Sequence, residues 1–217
     1  MIVHPIYAGF GLSFLLELPH GLYLVDAGSP GWDGRVLAAM RRLGRTDLKL
    51  IWITHAHYDH YGSAAALRAL TGAKIACHPA DAASLEKGLS PLGTTRGRGK
   101  IYPFVQPLAN RIRTLRPTPP DFTLEDGQTL ERFGLDAAVL HTPGHTPGHT
   151  CLLLSDGTAF AADLLGGSPP HLQNLLATDW DQLPASLAYL QAARPARAFT
   201  GHTARPFPGP VLQSIQA

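Results

Sequence analysis

The chain has 217 residues, 45% of them hydrophobic and 16% charged, which is enough for one sizeable core without disulfide or metal staples. Eighteen basic and 16 acidic residues leave a formal charge of only +2, which excludes a polyelectrolyte tail and a broad nucleic-acid-coating surface. Two cysteines, Cys77 and Cys151, each lie in an apolar run and exclude a disulfide framework.

Ile6 to Leu18 is apolar, but it carries Glu17 and lacks the basic start of a leader peptide. No other stretch approaches the roughly 18 to 20 apolar residues of a membrane span, so the chain reads as soluble and cytoplasmic. Ser13–Leu18 and Leu22–Val25 predict an opening hairpin that ends at Asp26-Ala27-Gly28. Asp33–Leu43 places Val36, Leu37, Met40 and Leu43 on one helical face, stopped by Gly44. Leu48–Thr54 predicts a buried strand, Ser63–Leu70 a helix, Ala73–His78 a strand and Ala80–Glu86 a helix.

From Gly88 to Pro120 the character changes: 6 Pro, 4 Gly and 6 basic side chains occur there with no acid. The rest of the chain keeps 12 basic against 16 acidic residues, so the near-neutral total hides a +6 segment set against −4 elsewhere. We expect one domain spanning 1–217 with 88–120 as a basic insertion, a lid or a flexible loop. As a lid, Arg96, Arg98 and Lys100 would steer an anionic small molecule; as a solvated loop they would face water.

Phe122–Leu124 and Leu135–Leu140 predict strands, followed by His141-Thr-Pro-Gly-His145-Thr-Pro-Gly-His149, whose prolines and glycines forbid a regular helix. Cys151–Leu154 and Thr158–Ala162 flank Ser155-Asp156-Gly157 as a hairpin ending in Asp163. Trp180–Ala192 predicts a helix, and Ala196–Thr200 a strand before Gly201-His202. Short strands alternating with helices in both halves argue an α/β layered fold.

Eleven histidines stand out in this composition, because imidazole is the commonest metal ligand. His55-Ala-His57-Tyr-Asp59-His60 puts four donors in six residues at a strand-to-helix junction. One ion cannot easily take all four, so the spacing suits two adjacent ions completed by distant strand ends, for which His145, Asp163 and His202 are available. The competing reading is a solvated or core-capping histidine cluster.

These motifs resemble the metallo-β-lactamase fold superfamily: H-x-H-x-D-H at 55–60, Leu-Val-Asp-Ala-Gly at 24–28, Pro-Gly-His145-Thr, a strand-terminal Asp163 and Gly-His202, in the family's order. The resemblance implies a four-layer αβ/βα sandwich. It assigns His55, His57 and His145 to a first metal, Asp59, His60 and His202 to a second, and Asp163 to both. Zinc suits the nitrogen-rich set, and iron or manganese are compatible with it. Such a pair would turn water into a bridging hydroxide nucleophile, with Asp59 as the catalytic proton carrier.

Asp26, His141 and His149 are expected to hydrogen-bond the ligands from outside. Tyr58 and His171 are candidates to line a substrate pocket. Asp163 stands where familiar β-lactamases use cysteine, so the run around His145 points instead to the branch of glyoxalase II thioesterases and acyl-homoserine-lactone lactonases. The expected reaction is hydrolysis of an ester, thioester or lactone of an anionic small molecule. A one-iron oxidoreductase similar to persulfide dioxygenases is the alternative; a phosphodiesterase or nuclease and a non-catalytic metal-binding module rank lower, and nucleic acid is not an expected partner.

Overall fold

The computed structural model describes residues 1–97, 115–167 and 174–216. Its first element lies ahead of the expected hairpin: β1 (Ile2–Ala8) pairs antiparallel with β2 (Gly11–Leu18), which turns back as β3 (Gly21–Val25). Pro5 and the partial exposure of β1 blurred its alternation in the sequence, and both follow from its place at a sheet edge. The chain continues through α1 (Asp33–Arg42), β4 (Leu48–Trp52), the one-turn α2 (Tyr58–Tyr61), α3 (Ala64–Thr71), β5 (Lys74–Cys77), α4 (Pro79–Lys87), β6 (Thr94–Thr95) and β7 (Phe122–Thr123). The second half holds β8 (Ala137–His141), β9 (Thr150–Leu154), β10 (Thr158–Ala162), β11 (Leu176–Ala177), α5 (Leu183–Ala192), β12 (Arg197–Thr200), β13 (Phe207–Pro208) and α6 (Gly209–Gln213).

One sheet runs β1-β2-β3-β4-β5-β7, the other β13-β12-β10-β9-β8, and β6 and β11 form a two-stranded ribbon. Strand alternation assigns the layers. In β2, Phe14 and Leu16, together with Trp52 of β4, face the other sheet and pack with Leu152, Phe160 and Phe199 there. Leu15 between them faces outward with Ile51 and Ile75 against Val36 and Met40 of α1 and Leu67 of α3. Across the sandwich, Cys151, Ala159, Ala161 and Ala198 face outward against Leu187 and Leu190 of α5 and Leu212 of α6. Both sheets are therefore buried on two faces, which is why β3, β9 and β10 read as continuous apolar runs rather than alternating ones. The result is the expected helix-sheet-sheet-helix stack.

The site follows from the strand directions. β3, β4 and β5 run parallel in the first sheet, and β10 and β12 run parallel in the second, so their carboxyl ends gather along one rim. At that rim Thr150 donates its N–H, 3.0 Å, and its hydroxyl, 3.1 Å, to the Thr54 carbonyl and ties the two sheets together. Cys77 and Cys151 are buried and unpaired with each other. Among the described residues no helix is long and apolar enough to cross a membrane.

Candidate metal centre

The loop after β4 is held by the turn after β3. Asp26 adopts a left-handed backbone, φ +59°, a conformation that Asp tolerates better than most residues. Its carboxylate accepts the Thr54 N–H at 2.8 Å, the Thr54 hydroxyl at 2.8 Å and His60 Nδ1–H at 2.8 Å. The chain then enters α2, and the His60 carbonyl accepts from Ala27 N–H at 2.6 Å. These bonds converge the loop's side chains instead of splaying them into water.

The second sheet supplies single residues. Between Phe160 and Ala162 the β10/β12 register shifts, and Ala162 is driven to φ +44°, which turns Asp163 off the strand end. Gly201 sits so close that a Cβ there would lie 2.2 Å from Asp163 Oδ1 and 2.7 Å from His60 Cε1. His202 follows, and His145 projects from the Pro-Gly loop between β8 and β9.

These seven residues meet. Ligand-capable atoms of His55, His57 and His145 lie within 4.8 Å of one another, as do those of His55, His60 and Asp163, and those of Asp59, His60 and His202. The hydrogen-bond partners fix which imidazole nitrogen faces inward. His57 Nε2–H donates to the Pro91 carbonyl at 2.8 Å and His145 Nδ1–H to the Leu176 carbonyl at 3.1 Å. His202 Nδ1–H donates to the Phe10 carbonyl at 3.0 Å. Because the Thr54 hydroxyl proton goes to Asp26, the same oxygen accepts from His55 Nδ1–H, 3.0 Å away.

Each of the five rings therefore turns a lone pair inward when neutral. His57 Nδ1 stands 3.1 Å from His55 Nε2 and 2.9 Å from His145 Nε2, so three lone pairs confront one another. Among the described residues, His60 Nε2 and Asp163 Oδ1 are buried with no hydrogen-bond partner. Such a set is unfavourable unless a cation or protons lie among the donors, and it fits a metal pair of the expected kind.

The electrostatics agree. Burial, reinforced by neighbouring imidazoles, holds His55 and His145 well below the usual histidine range, which keeps their lone pairs free. Burial also opposes charge on His60, but Asp163, Asp26 and Asp59 overcome it and lift the ring well above that range. Asp163 raises His202 to about 9. Burial would raise the Asp163 carboxyl in turn, yet His202 and His60 hold it well below the usual carboxylate range. Without metal, protons on His60 and His202 compensate the carboxylates; a divalent cation would displace them.

The remaining sequence candidates separate. Asp26 touches the ligand network directly. His149 is buried 5.3 Å from the His55 ring, with Nδ1 on Thr142, and burial pushes it down to about 3. His141 stands apart: its ring stacks on His78 at 3.8 Å and its Nε2 meets the Pro147 carbonyl, so it supports the outer turn of the loop instead of a ligand. Tyr58 packs edge-on against Phe10, the residue whose carbonyl holds His202. Arg96 is exposed with its guanidinium 4.3 Å over the Trp180 ring. Arg98, Lys100 and His171 lie outside the described residues.

Sequence reading missed Asp81, which binds both ligand loops, and the carbonyls of Phe10, Pro91 and Leu176 that orient three histidines. The start of the basic segment is thereby part of the centre's wall: Leu89 O accepts from Tyr61, Ser90 Oγ from Tyr58 N–H, and Pro91 O from His57.

The family model for the metallo-β-lactamase superfamily matches residues 6–202. The chain belongs to this superfamily. Hydroxyacylglutathione hydrolase of Pseudomonas aeruginosa (strain LESB58) is 33% identical over 138 residues, which are 58% of this chain and 40% of that enzyme, so the chain matches well under half of its length. A probable polyketide biosynthesis zinc-dependent hydrolase of Bacillus velezensis is 27% identical over 189 residues, covering 86% of this chain and 70% of that one. Among solved structures, TTHA1623 in a di-iron-bound form superposes with a TM-score of 0.73 at 27% identity and covers 98% of each chain. The fold implies divalent-metal binding, and the clustered donors are the groups that could hold the ions.

Proposed function

We propose that the chain is a dinuclear metal hydrolase that opens the acyl bond of a small anionic thioester, ester or lactone. The observation that carries this reading is the inward convergence of ring nitrogens from His55, His57, His60, His145 and His202 around Asp163, each ring held from behind. His55, His57 and His145 would hold one ion, Asp59, His60 and His202 the other, with Asp163 shared. Bound there, the ions would supply a hydroxide nucleophile at neutral pH and polarise the acyl oxygen.

The protein's own part is position and proton handling. Asp59 keeps a partly exposed carboxylate 3.9 Å from His60 Nε2, so it can take the proton of the attacking water and return it to the leaving group. The hydroxyl, carbonyl and carboxylate contacts behind the rings fix the donors before substrate arrives. Zinc is favoured by the donor set and by the zinc-dependent relative, while the di-iron neighbour keeps iron in the comparison. The thioester class is supported by the hydroxyacylglutathione hydrolase relative, and the anionic group by Arg96, which stays exposed while it stacks on Trp180. The second triad, Asp59, His60 and His202, favours two ions over the one-iron oxidoreductase.

Metal analysis and turnover of a panel of thioesters, lactones and esters test the proposal. We expect two metal ions per chain, hydrolysis in that panel, and a loss of about 10²- to 10⁴-fold in Asp59→Ala. One iron per chain with oxygen consumption, or metal-replete protein inert across the panel, overturns it.

A further inference from the structure

Asp81 stands in the first turn of α4, where an acid is ordinary, but its side chain is not on the surface. The residue is 2% exposed, and its carboxylate accepts three hydrogen bonds. Oδ2 accepts the Ala56 N–H at 2.7 Å and the Thr146 hydroxyl at 2.7 Å, and Oδ1 accepts the Gly148 N–H at 2.8 Å. Ala56 lies between His55 and His57, and Thr146 follows His145. The carboxylate therefore joins the loop after β4 to the loop after β8, which belong to different sheets, at the triad where His57 Nδ1 faces two other lone pairs within 3.1 Å.

The approach is built into the sequence of the second loop. A Cβ on Gly148 would lie 2.6 Å from Asp81 N and 2.7 Å from its Cβ and Cγ, so only glycine lets that loop reach the carboxylate. Beside the Thr150 bonds to the Thr54 carbonyl, this tie opposes the repulsion between the lone pairs of His55 and His57 on one loop and that of His145 on the other whenever no cation lies between them.

We propose that Asp81 is a positioning residue: it clamps the two ligand loops together and so presets His55, His57 and His145 for metal capture. This inference rests on the reading of the site as a metal centre. Asparagine at 81 offers one acceptor oxygen where the carboxylate has two. It can serve Ala56 and Thr146 or serve Gly148, and in either orientation its NH2 opposes a donor. Glutamate has no room, because the Gly148 backbone is already in contact.

Zinc affinity by competition with a chromophoric chelator, metal stoichiometry, and the visible spectrum of cobalt-substituted protein test the clamp. Asp81→Asn should weaken the tightest zinc site by about 10- to 100-fold and alter the cobalt ligand-field bands. Thr146→Val removes one donor without changing shape, keeps the fold, and should give a smaller loss in the same direction. Met40→Ala, in the outer layer at the end of α1 opposite the carboxyl-end rim, lowers stability and should leave zinc affinity and the cobalt spectrum as they are.

Zinc affinity in both Asp81→Asn and Thr146→Val within twofold of the unaltered chain overturns the clamp while the metal reading stands. A matching affinity loss in Met40→Ala also overturns it, since the effect would then be general destabilisation. If the unaltered chain takes up no metal, the reading beneath it fails first and the clamp with it.

Discussion

The first sheet delivers His55, His57, Asp59 and His60 from one loop, whereas the second delivers Asp163 and His202 from two strand ends and His145 from the loop between β8 and β9. The loop is aligned by side chains, chiefly Asp26 through Thr54 and His60 and Asp81 through Ala56. The two strand ends are aligned by backbone: a register shift and a left-handed Ala162 before Asp163, close packing at Gly201, and the Phe10 carbonyl behind His202; the His145 loop has the Leu176 carbonyl behind its ring and shares Asp81 with the first loop. A loop held by side chains can relax as a unit when one contact is lost. A strand end held by the sheet has nowhere to move.

The largest expected effect follows from that rigidity. In Gly201→Ala the new methyl would fall on Asp163 Oδ1 and His60 Cε1, and the backbone around it is tied through Gly201 N–H to Ala162 O and Leu12 N–H to Gly201 O. An ångström of displacement at reacting groups costs about 10²-fold, so we expect at least that loss in turnover and a fall from two metal ions to one. The His55, His57 and His145 set would keep its ion. Two bound ions with full activity would show that the strand end yields as readily as the loop.

Asp26→Asn probes the loop. It leaves one acceptor oxygen for three donors, two from Thr54 and one from His60, so ring orientation is lost at His55 and His60 together. We expect metal affinity to fall by about 10- to 100-fold, with turnover recovering in excess metal because the loop can still close on its ions. Recovery in excess metal for Asp26→Asn but not for Gly201→Ala would sharpen the contrast; equal behaviour of the two variants would break it.

The same contrast explains what could be read from sequence. Four donors in six residues are visible as a motif, and strand-terminal Asp163 and His202 stand out because the strands before them are short apolar runs ending in polar residues. Backbone acceptors are invisible: Phe10, Pro91 and Leu176 act through carbonyls that every residue has. Asp81 looked like any acid opening a helix, and only its proximity to Gly148 distinguishes it. The strands β6 and β11, two residues each, are too short for periodicity, and Arg96 carries no local sign that it stacks on Trp180 from far along the chain. A layered α/β fold was legible because short apolar strands alternate with helices, while the four-layer order came with the family resemblance. β1 was not, since an edge strand with a proline and exposed positions gives neither signal.

At the seam between the halves, His78 from the end of β5 stacks on His141 from the end of β8, and its Nδ1 accepts the Ala80 N–H at 3.2 Å as the cap of α4. Burial and the neighbouring His141 push it down to about 4, against a smaller opposing pull from Asp126. A folded value below the unfolded one contributes stability that is complete above about pH 6.5 and is lost as pH falls toward 4. At most about 3.5 kcal/mol is involved, since each unit is worth about 1.4 kcal/mol. His78→Asn keeps an acceptor at the cap but cannot titrate. Its denaturation midpoint, measured with metal removed, should therefore decline less than that of the unaltered chain between pH 6.5 and 4. Parallel declines would place the acid sensitivity elsewhere.

The smallest effect tests whether strain at the strand end aims Asp163. A left-handed Ala162 costs about 1 to 2 kcal/mol, which Ala162→Gly would release. Glycine's greater freedom in the unfolded chain takes back about 0.5 to 1 kcal/mol, and the lost buried methyl about 0.8 kcal/mol more. The contributions nearly cancel, so the unfolding free energy should stay within about 1 kcal/mol of the unaltered chain. Because Ala162 O is already fixed by Gly201 N–H and the register shift comes from pairing with β12, Asp163 should keep its direction and metal affinity should change by less than about tenfold, or 1.4 kcal/mol. A larger loss of affinity at unchanged stability would assign the aiming of Asp163 to the strained residue itself, and the second sheet would then depend on one side chain much as the first depends on Asp26.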